Sequence, residues 1–274
     1  MRVRARYTKA GKVRYVSAID LGRIWERALR QADLPIAYSE GFSPHPKVSF
    51  PDALPLGYAS LAEYVELEFA GPFPLAPAVR ELNAAFPTGI DVRDTVELAD
   101  GAPRLAKWLR ASVWELAYDA GAVDALDEAA AEVLAAAHVP VARDRKGEVT
   151  EVDLRPALHD LRVALVPSGP GELPPDPAGR PLADDVQPAS SQTMAPELGA
   201  ESARVRALVH HVEPPMRPSE VHAAIAAHVP RPWEDALELR AVTRVAQGEL
   251  VSGGLREAIG GTVVPPQPEA THRE

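Results

Sequence analysis

The residue types best suited to chemistry are concentrated in one short stretch, residues 37–50, which we call the proline loop. It carries a phenol, an imidazole and an amine at Tyr38, His45 and Lys47. A histidine beside a phenol or an amine can move protons in the metal-independent cleavage of RNA, and the same groups can bind a phosphate. No spacing in the loop demands catalysis, so the residues leave both chemistries open.

The backbone of the proline loop predicts a stiff, preorganised turn. Gly41 permits a conformation that other residues resist, while Pro44 and Pro46 fix their own φ angles and hold the preceding residues extended. A stiff loop loses little conformational entropy when it binds a ligand. The alternative is a rigid connector whose His45 bonds only to the backbone. If the loop binds a ligand, the expected ligand-binding residues are Arg6, Arg14, Arg23, Tyr38, Ser39, Glu40, Gly41, Phe42, His45 and Lys47.

The elements before the loop are a basic strand and a basic helix. Alternation over residues 2–7 predicts a strand with arginines on one face. Residues 13–16 are typical of a second short strand or of an extension of the first. Ser17 is typical of a helix N-cap, and apolar residues recur at helical spacing to about Ala32. Three arginines share one ridge of this helix, which is either a solvated face or a phosphate-binding surface. They are Arg23, Arg27 and Arg30.

The segment after the loop contains a strongly alternating strand at residues 64–69. One face is apolar, and the other is expected to face solvent. The residues expected on the solvent face are Tyr64, Glu66 and Glu68. Glu63 falls on the apolar face, where a buried carboxylate needs a cation. The expected partners are Arg6, Arg14 or Lys47.

The order of elements predicts an α+β protein with two tandem ferredoxin-like units of the βαββαβ type, each with an antiparallel sheet. Residues 1–103 form the first unit and carry the proline loop. Residues 104–166 together with 204–250 form the second. The proline- and glycine-rich composition of residues 167–203 predicts a disordered insertion. Residues 251–274 are expected to form a flexible tail.

Composition excludes several classes of chemistry. The 274 residues contain no cysteine, which excludes disulfides, a cysteine nucleophile and a protein-held iron–sulfur cluster. Glycine-rich phosphate motifs and zinc-binding histidine spacings do not occur, so we expect no metal and no cofactor. The adjacent His210 and His211, like His222 and His228, are expected to be structural or at the surface. No run of about 18 apolar residues occurs, so we expect no membrane span and a cytoplasmic location.

The charge of the chain is unevenly distributed. The formal net charge is −10, yet the first 50 residues hold ten Lys/Arg and four Asp/Glu, a net of +6 that leaves −16 on the remainder. A basic N-terminal face permits a local anionic ligand such as RNA, a nucleotide or a phosphate. The alternative is an internal match between a basic sheet and an acidic second unit.

Five runs of sequence are distinctive. They are KVRYVSAIDL at 12–21, YSEGFSPHPKVSF at 38–50, PLG at 55–57, VDLRP at 152–156 and MRPSEV at 216–221. Together they resemble an uncharacterised radical-SAM-linked family, a domain of unknown function, in its stand-alone bacterial form. The resemblance implies a radical-SAM enzyme acting in trans, because this chain has no cysteine for the cluster, and it implies no catalytic residue. A similarity of fold alone links it to the CRISPR repeat-processing endoribonucleases, which also stack two ferredoxin-like units.

These observations predict a non-catalytic accessory protein that binds an anionic substrate, RNA above all, for a partner enzyme. The residues expected to present that substrate are Arg6, Arg14, Arg23, His45 and Lys47. One alternative is a metal-independent, RNA-processing endoribonuclease in which His45 and Tyr38 are the acid–base pair. Another is a scaffold that binds only protein. The sequence carries no signal for the oligomeric state.

Overall fold

Two successive runs of strands and helices build the chain. The computed structural model describes residues 1–167, 201–231, 233, 236–261 and 263–264. The first run contains β1 (Arg2–Lys9), α1 (Ala18–Gln31), β2 (Val48–Ser49), β3 (Ala59–Glu68), α2 (Leu75–Ala85) and β4 (Ile90–Leu98). The second run contains β5 (Ala111–Asp119), α3 (Val123–Ala135), β6 (Pro140–Arg145), β7 (Glu148–Asp153), β8 (Leu158–Pro167), β9 (Glu201–His210), α4 (Pro218–Ala226), β10 (Ala241–Val251), β11 (Gly254–Glu257) and β12 (Val263–Val264).

The fold is mixed α+β, with a large, mostly antiparallel sheet and four helices in the described residues. The strand order of the large sheet is β4-β1-β3-β10-β5-β9-β8, with β2 on β3, β11 on β10 and β12 on β11. Strand β10 pairs with β3 in parallel, which joins the two runs in one sheet. The hairpin β6–β7 forms a separate two-stranded sheet. The predicted division into units at residue 103 stays a prediction.

Two apolar cores lie under the helices. The first contains side chains of β1, β3, β4, α1 and α2, and the second contains side chains of β5, β8, β9, α3 and α4. Leu54 and Tyr58, from the segment between β2 and β3, pack against the second core although they belong to the first run. This segment therefore connects the two halves on the helical side of the sheet.

Helix α1 forms where the sequence predicts it. The N-terminus is capped by Ser17, whose side chain accepts a hydrogen bond from the backbone N–H of Asp20. Its buried stripe centres on Trp25, which is fully enclosed and meets the edges of Tyr7 and Phe86 at centroid distances of 5.0 and 4.7 Å. This packing fixes which side of the helix faces outward, and that side carries the arginine ridge.

The prediction of a short strand at residues 13–16 is wrong. Residues 11–15 form one turn of 3₁₀ helix instead. Gly11 has φ +57°, which turns the chain away from β1 and lets Val13 bury in the first core. The turn also brings the carbonyl oxygen of Val16 within 2.9 Å of the amine of Lys9, which donates a hydrogen bond to it.

The second face of β3 is buried rather than solvated, so the prediction for Tyr64 and Glu66 is wrong. Tyr64 packs in a small cluster with Leu105 and Ile259, contributed by the segment before β5 and the segment after β11. Period-two alternation reports two chemically different faces, but it does not say that later segments will cover the polar one. Glu68, at the end of the strand, keeps about a quarter of its side chain exposed.

Two short strands, β11 and β12, lie in the segment for which the sequence predicts a flexible tail. Strand β11 pairs with the end of β10, and β12 pairs with β11. Leu255 and Val264 are fully buried against the sheet, so the segment has an apolar reason to fold back. The predicted insertion is bounded by β8 and β9, and its residues 168–200, like residues 265–274, lie outside the described residues. Within the described residues, none of the helices is both long and apolar enough to span a membrane.

Candidate ligand-binding groove

The proline loop is closed by reciprocal hydrogen bonds at its base. The backbone N–H of Ser39 donates to the carbonyl oxygen of His45 at 2.8 Å, and the backbone N–H of His45 donates to Ser39 Oγ at 3.0 Å. Tyr38 and Pro46 form an isolated bridge beside this pair. Ser39 therefore braces the loop.

Backbone hydrogen bonds also fasten the base of the loop to the sheet. The N–H of Ala37 donates to the carbonyl oxygen of Glu68, and the N–H of Lys47 donates to that of Ala37. At the opposite end Gly41 adopts φ +118°, a region that side chains disfavour. The next residue, Phe42, is fully exposed. The loop thus presents an apolar ring at its tip from an anchored base.

A groove lies between the proline loop and the C-terminal half of α1. Its volume is about 300 Å³, and we call it the loop groove. Its aromatic and ionisable lining residues are Glu26, Arg30, Asp33, Tyr38 and His45. Two loop prolines, Pro44 and Pro46, line the same groove. The structure therefore brings Tyr38 and His45 to one concave surface.

Arg30 is the cation of the loop groove. It stands in the last turn of α1 and is exposed, and its guanidinium has no ion-pair or hydrogen-bond partner among the described residues. Two carboxylates, Glu26 and Asp33, stand on the same wall. A groove with a free guanidinium, an imidazole and a phenol can bind a phosphate and hold an aromatic ring beside it.

The predicted ligand-binding residue Arg6 lies elsewhere, inside the molecule. Its Nε atom lies 2.6 Å from the carboxylate of Asp94, and Nη1 lies 3.6 Å from that of Glu257. Only about 1% of its side chain is exposed. Strand β1 therefore uses its arginines internally, and Arg4 likewise pairs with Glu66 at 2.8 Å.

Lys47 is directed away from the loop groove. Its amine pairs with Glu68 at 3.2 Å and lines a second cavity of about 420 Å³. Arg104 pairs with the same Glu68 carboxylate at 3.2 Å, so the cations of that cavity are matched within the protein. Lys47 and His45 therefore line different cavities.

The remaining predicted residues are spread around the loop and α1. Arg23 is exposed and pairs with Asp20 at 2.9 Å, one turn from the N-terminus of α1. Arg14 stacks on the ring of Tyr15, with its guanidinium carbon 4.9 Å from the centroid. Glu40, Gly41 and Phe42 occupy the exposed loop tip and do not line the groove.

The expected partner of Glu63 is also different. Glu63 is buried as predicted, but it pairs with Arg244 of β10 at 3.1 Å. Burial raises the pKa of Glu63 above its ordinary value, and Arg244 opposes that rise. The same desolvation lowers the pKa of the nearby Lys9 amine. No local sequence signal links β3 to a strand about 180 residues later in the chain.

Two histidines of the second half, His211 and His222, have structural partners. Both ring nitrogens of His211 form hydrogen bonds. Nε2 lies 2.7 Å from the hydroxyl of Ser112, and Nδ1 lies 2.9 Å from the carbonyl oxygen of Leu109. Burial lowers the pKa of this imidazole. His222 meets the hydroxyl of Tyr118 at 3.2 Å. Within the described ranges, no three His, Asp or Glu side chains are grouped as metal ligands.

A family model matches most of the chain. The model of a family described as "uncharacterized protein conserved in bacteria (DUF2344)" matches residues 2–196. No curated protein matches the chain.

Proposed function

Because the chain belongs to the DUF2344 family of bacterial proteins, we propose that it is a radical-SAM-associated accessory protein that binds an anionic substrate, RNA above all, for a partner enzyme. The radical-SAM association rests on the resemblance of the sequence runs given above. The chain has no cysteine, so a partner must supply any iron–sulfur cluster in trans. Action in the cytoplasm is part of the same proposal.

The observation that carries the binding role is the loop groove. An unpartnered guanidinium from Arg30 and the side chains of Tyr38 and His45 line one concavity next to the exposed Phe42. Cations bind phosphates and aromatic rings stack on bases, which is how single-stranded nucleic acids are commonly held. Because the loop is already braced, binding costs little ordering entropy.

We further infer that the two halves are tandem ferredoxin-like units. The support is the strand order. In the first half the order is β4-β1-β3-β2, and in the second half it is β10-β5-β9-β8. If the four strands of each half are numbered along the chain, both orders read fourth, first, third, second. Neighbouring strands within each half run antiparallel. The hairpin β6–β7 is then an insertion in the second unit. An experimental structure with a different connection between α3 and β8 would contradict this inference.

Binding is tested with a fluorescent single-stranded RNA of about 12 nucleotides. We expect affinity to fall with rising salt, and Arg30→Gln and His45→Ala to weaken it about fivefold or more at constant salt. Lys47→Gln is the matched control, because its amine pairs with Glu68 on another surface. Binding that ignores both groove substitutions, or that requires Lys47, contradicts the loop groove as the site.

The partner is tested by affinity purification of the tagged full chain from its bacterial host. The accessory role predicts that a radical-SAM enzyme is recovered with it, and that recovery survives His45→Ala. Recovery of partners without such an enzyme would remove the radical-SAM part of the proposal and leave the binding role to be judged on the RNA experiment.

A second candidate function is RNA cleavage by Tyr38 and His45, which line the same groove. Incubation of excess protein with a mixed RNA pool and a chelator tests it directly. Fragments that disappear in His45→Ala would support cleavage, whereas intact RNA leaves the non-catalytic role.

A further inference from the structure

Exposed aromatic rings mark both ends of α1. Three large aromatic side chains are exposed among the described residues: Tyr15 at 58%, Tyr38 at 52% and the fully exposed Phe42. Tyr15 lies just before the Ser17 N-cap of the helix, and the other two belong to the proline loop that follows it. Aromatic side chains are mostly buried on average, so three that are more than half exposed around one helix need an explanation.

The Tyr15 end of the helix already resembles a stacking site. The guanidinium of Arg14 lies over the Tyr15 ring, and Arg14 Nη2 donates a hydrogen bond to its hydroxyl at 2.9 Å. An arginine stacked on tyrosine leaves the opposite face of the ring available to a base and offers a cation to the adjacent phosphate. The proline-loop end offers the same pair of groups through Tyr38 and Arg30.

The arginine ridge connects the two ends. Arg23, Arg27 and Arg30 are exposed along one side of α1. Arg27 and Arg30 have no ion-pair partner in the part of the chain that the structure describes, and Arg23 pairs only with the exposed Asp20. Isolated exposed arginines on a ridge are available to phosphate oxygens without breaking a buried pair.

The open sheet face that many RNA-binding α+β domains use is not available in this half. Tyr64 and Glu66, which stand on that face of β3, are about 3% and 4% exposed. The segments around Leu105 and Ile259 cover them. A nucleic acid approaching the first half therefore meets the helical side.

We propose that the exposed side of α1 is a track for a single-stranded nucleic acid. Bases stack at Tyr15 and at the Tyr38–Phe42 end, and the arginine ridge binds the intervening phosphates. The inference rests on the proposed function, because the loop groove is one end of the track. It adds the substrate class: an unpaired strand several nucleotides long rather than a mononucleotide or a duplex.

The length of the helix sets the length of the strand. The 14 residues of α1 span about 21 Å. That distance corresponds to roughly six nucleotides at the 3.4 Å spacing of a stacked strand, and to fewer in an extended one. A ligand of about three nucleotides fills one end only, whereas one of about 12 reaches both.

The test compares labelled oligouridylates of about 3 and about 12 nucleotides by fluorescence anisotropy. We expect the wild type to bind the longer strand at least about tenfold more tightly, because a second stacking station is engaged. Tyr15→Ala should weaken the longer strand about fivefold and leave the shorter one unchanged. Arg27→Gln should lower the salt slope for the longer strand by about one.

Arg145→Gln is the control, because Arg145 is an exposed arginine on the β6–β7 hairpin, away from α1. It should change neither affinity. Circular dichroism and the urea midpoint of each variant establish that folding is intact. The DNA strand of the same sequence is measured in parallel, and the comparison of the two affinities shows whether the track prefers RNA or DNA.

The outcomes separate the track from the loop groove. If both strands bind equally and Tyr15→Ala changes nothing, the track is wrong while the groove can still stand. Tighter binding of a duplex of the same length also overturns the track. So does the result that the protein binds no nucleic acid but captures a protein partner, and that Tyr15→Ala abolishes this capture. If His45→Ala leaves both strands bound as in the wild type, the proposed function itself fails.

Discussion

Arg244 and Glu63 form a buried ion pair between the last long strand, β10, and the first half of the chain. Arg244 Nη1 lies 3.1 Å from Glu63 Oε1, and the two side chains are 4% and 3% exposed. The same guanidinium reaches Asp52 at 2.9 Å and lies over the ring of Trp114 at 4.6 Å. One side chain thus connects the segment after the proline loop, β3 and β5.

Removing Arg244 should be strongly destabilising. Arg244→Met leaves Glu63 buried without its ion-pair partner, which we expect to lower the free energy of unfolding by about 3–5 kcal/mol. The double variant Arg244→Met/Glu63→Gln should recover part of this loss, because residue 63 then carries no charge that needs Arg244. Urea denaturation measures both.

The loss should also depend on pH. Burial raises the pKa of Glu63, so its protonated form is favoured in the folded state and a charged Glu63 costs stability as pH rises through that pKa. Without Arg244 the pKa rises further. The deficit of Arg244→Met should therefore be smaller at about pH 5 than at about pH 8. An equal deficit at both values would show that the pair contributes through packing alone.

Gly248 should not tolerate a side chain, whereas Gly22 should. A Cβ atom at Gly248 of β10 would lie 1.8 Å from the carbonyl oxygen of Arg256 in β11, so backbone must move. We expect Gly248→Ala to cost about 1–3 kcal/mol and to expose the chain near Arg256 to trypsin. Gly22, inside α1, has no atom within 4 Å of such a Cβ.

Gly22→Ala should accordingly raise the free energy of unfolding by about 0.5–1 kcal/mol through helix propensity. Trypsin cleavage near Arg256 at the wild-type rate in Gly248→Ala would show that β11 does not depend on this close contact.

Asp153 should make stability fall in acid. Its carboxylate accepts hydrogen bonds from the backbone N–H groups of Val139 and Arg155 at 2.8 and 3.0 Å, and His138 Nδ1 lies 2.9 Å away. The backbone donor of Val139 is the main reason that its pKa falls from 3.8 to about 2. A depressed pKa stabilises the fold above about pH 4, and this stabilisation is lost as pH falls towards 2.

Asp153→Asn keeps the shape of the side chain and removes the titration. The free energy of unfolding of the wild type should exceed that of this variant by about 1 kcal/mol near pH 5. The difference is no larger because solvent partly screens the carboxylate, and it should shrink towards pH 2. Urea midpoints across that range provide the measurement. A difference that stays constant would mean that the charge of Asp153 adds nothing.

Ser39 should matter for binding more than for stability. Ser39→Ala removes the acceptor for the His45 N–H at the base of the exposed proline loop. We expect the free energy of unfolding to change by less than about 1 kcal/mol, and RNA affinity to fall about threefold or more because the loop must be ordered on binding. Ser43→Ala, in the same loop, removes no hydrogen bond found among the described residues. It should behave as the wild type in both measurements.

The sequence predicts correctly those features that depend on interactions between residues close together in the chain. The Ser17 cap and the apolar stripe around Trp25 depend on neighbours in sequence, and both are present. The loop base also closes through residues only six apart. Periodicity, capping and turn preferences describe interactions of this range.

The sequence by itself determined that the chain is an α+β protein with a basic first segment, no cysteine and a proline loop after a helix with an arginine ridge. Only the tertiary structure decided which of those cations are available. Arg6 forms an ion pair with Asp94, and Lys47 forms one with Glu68. Arg30 has no ion-pair partner among the described residues and lines the same groove as His45. Desolvation and pairing of a charge depend on segments far away in sequence, and a local pattern contains no information about them.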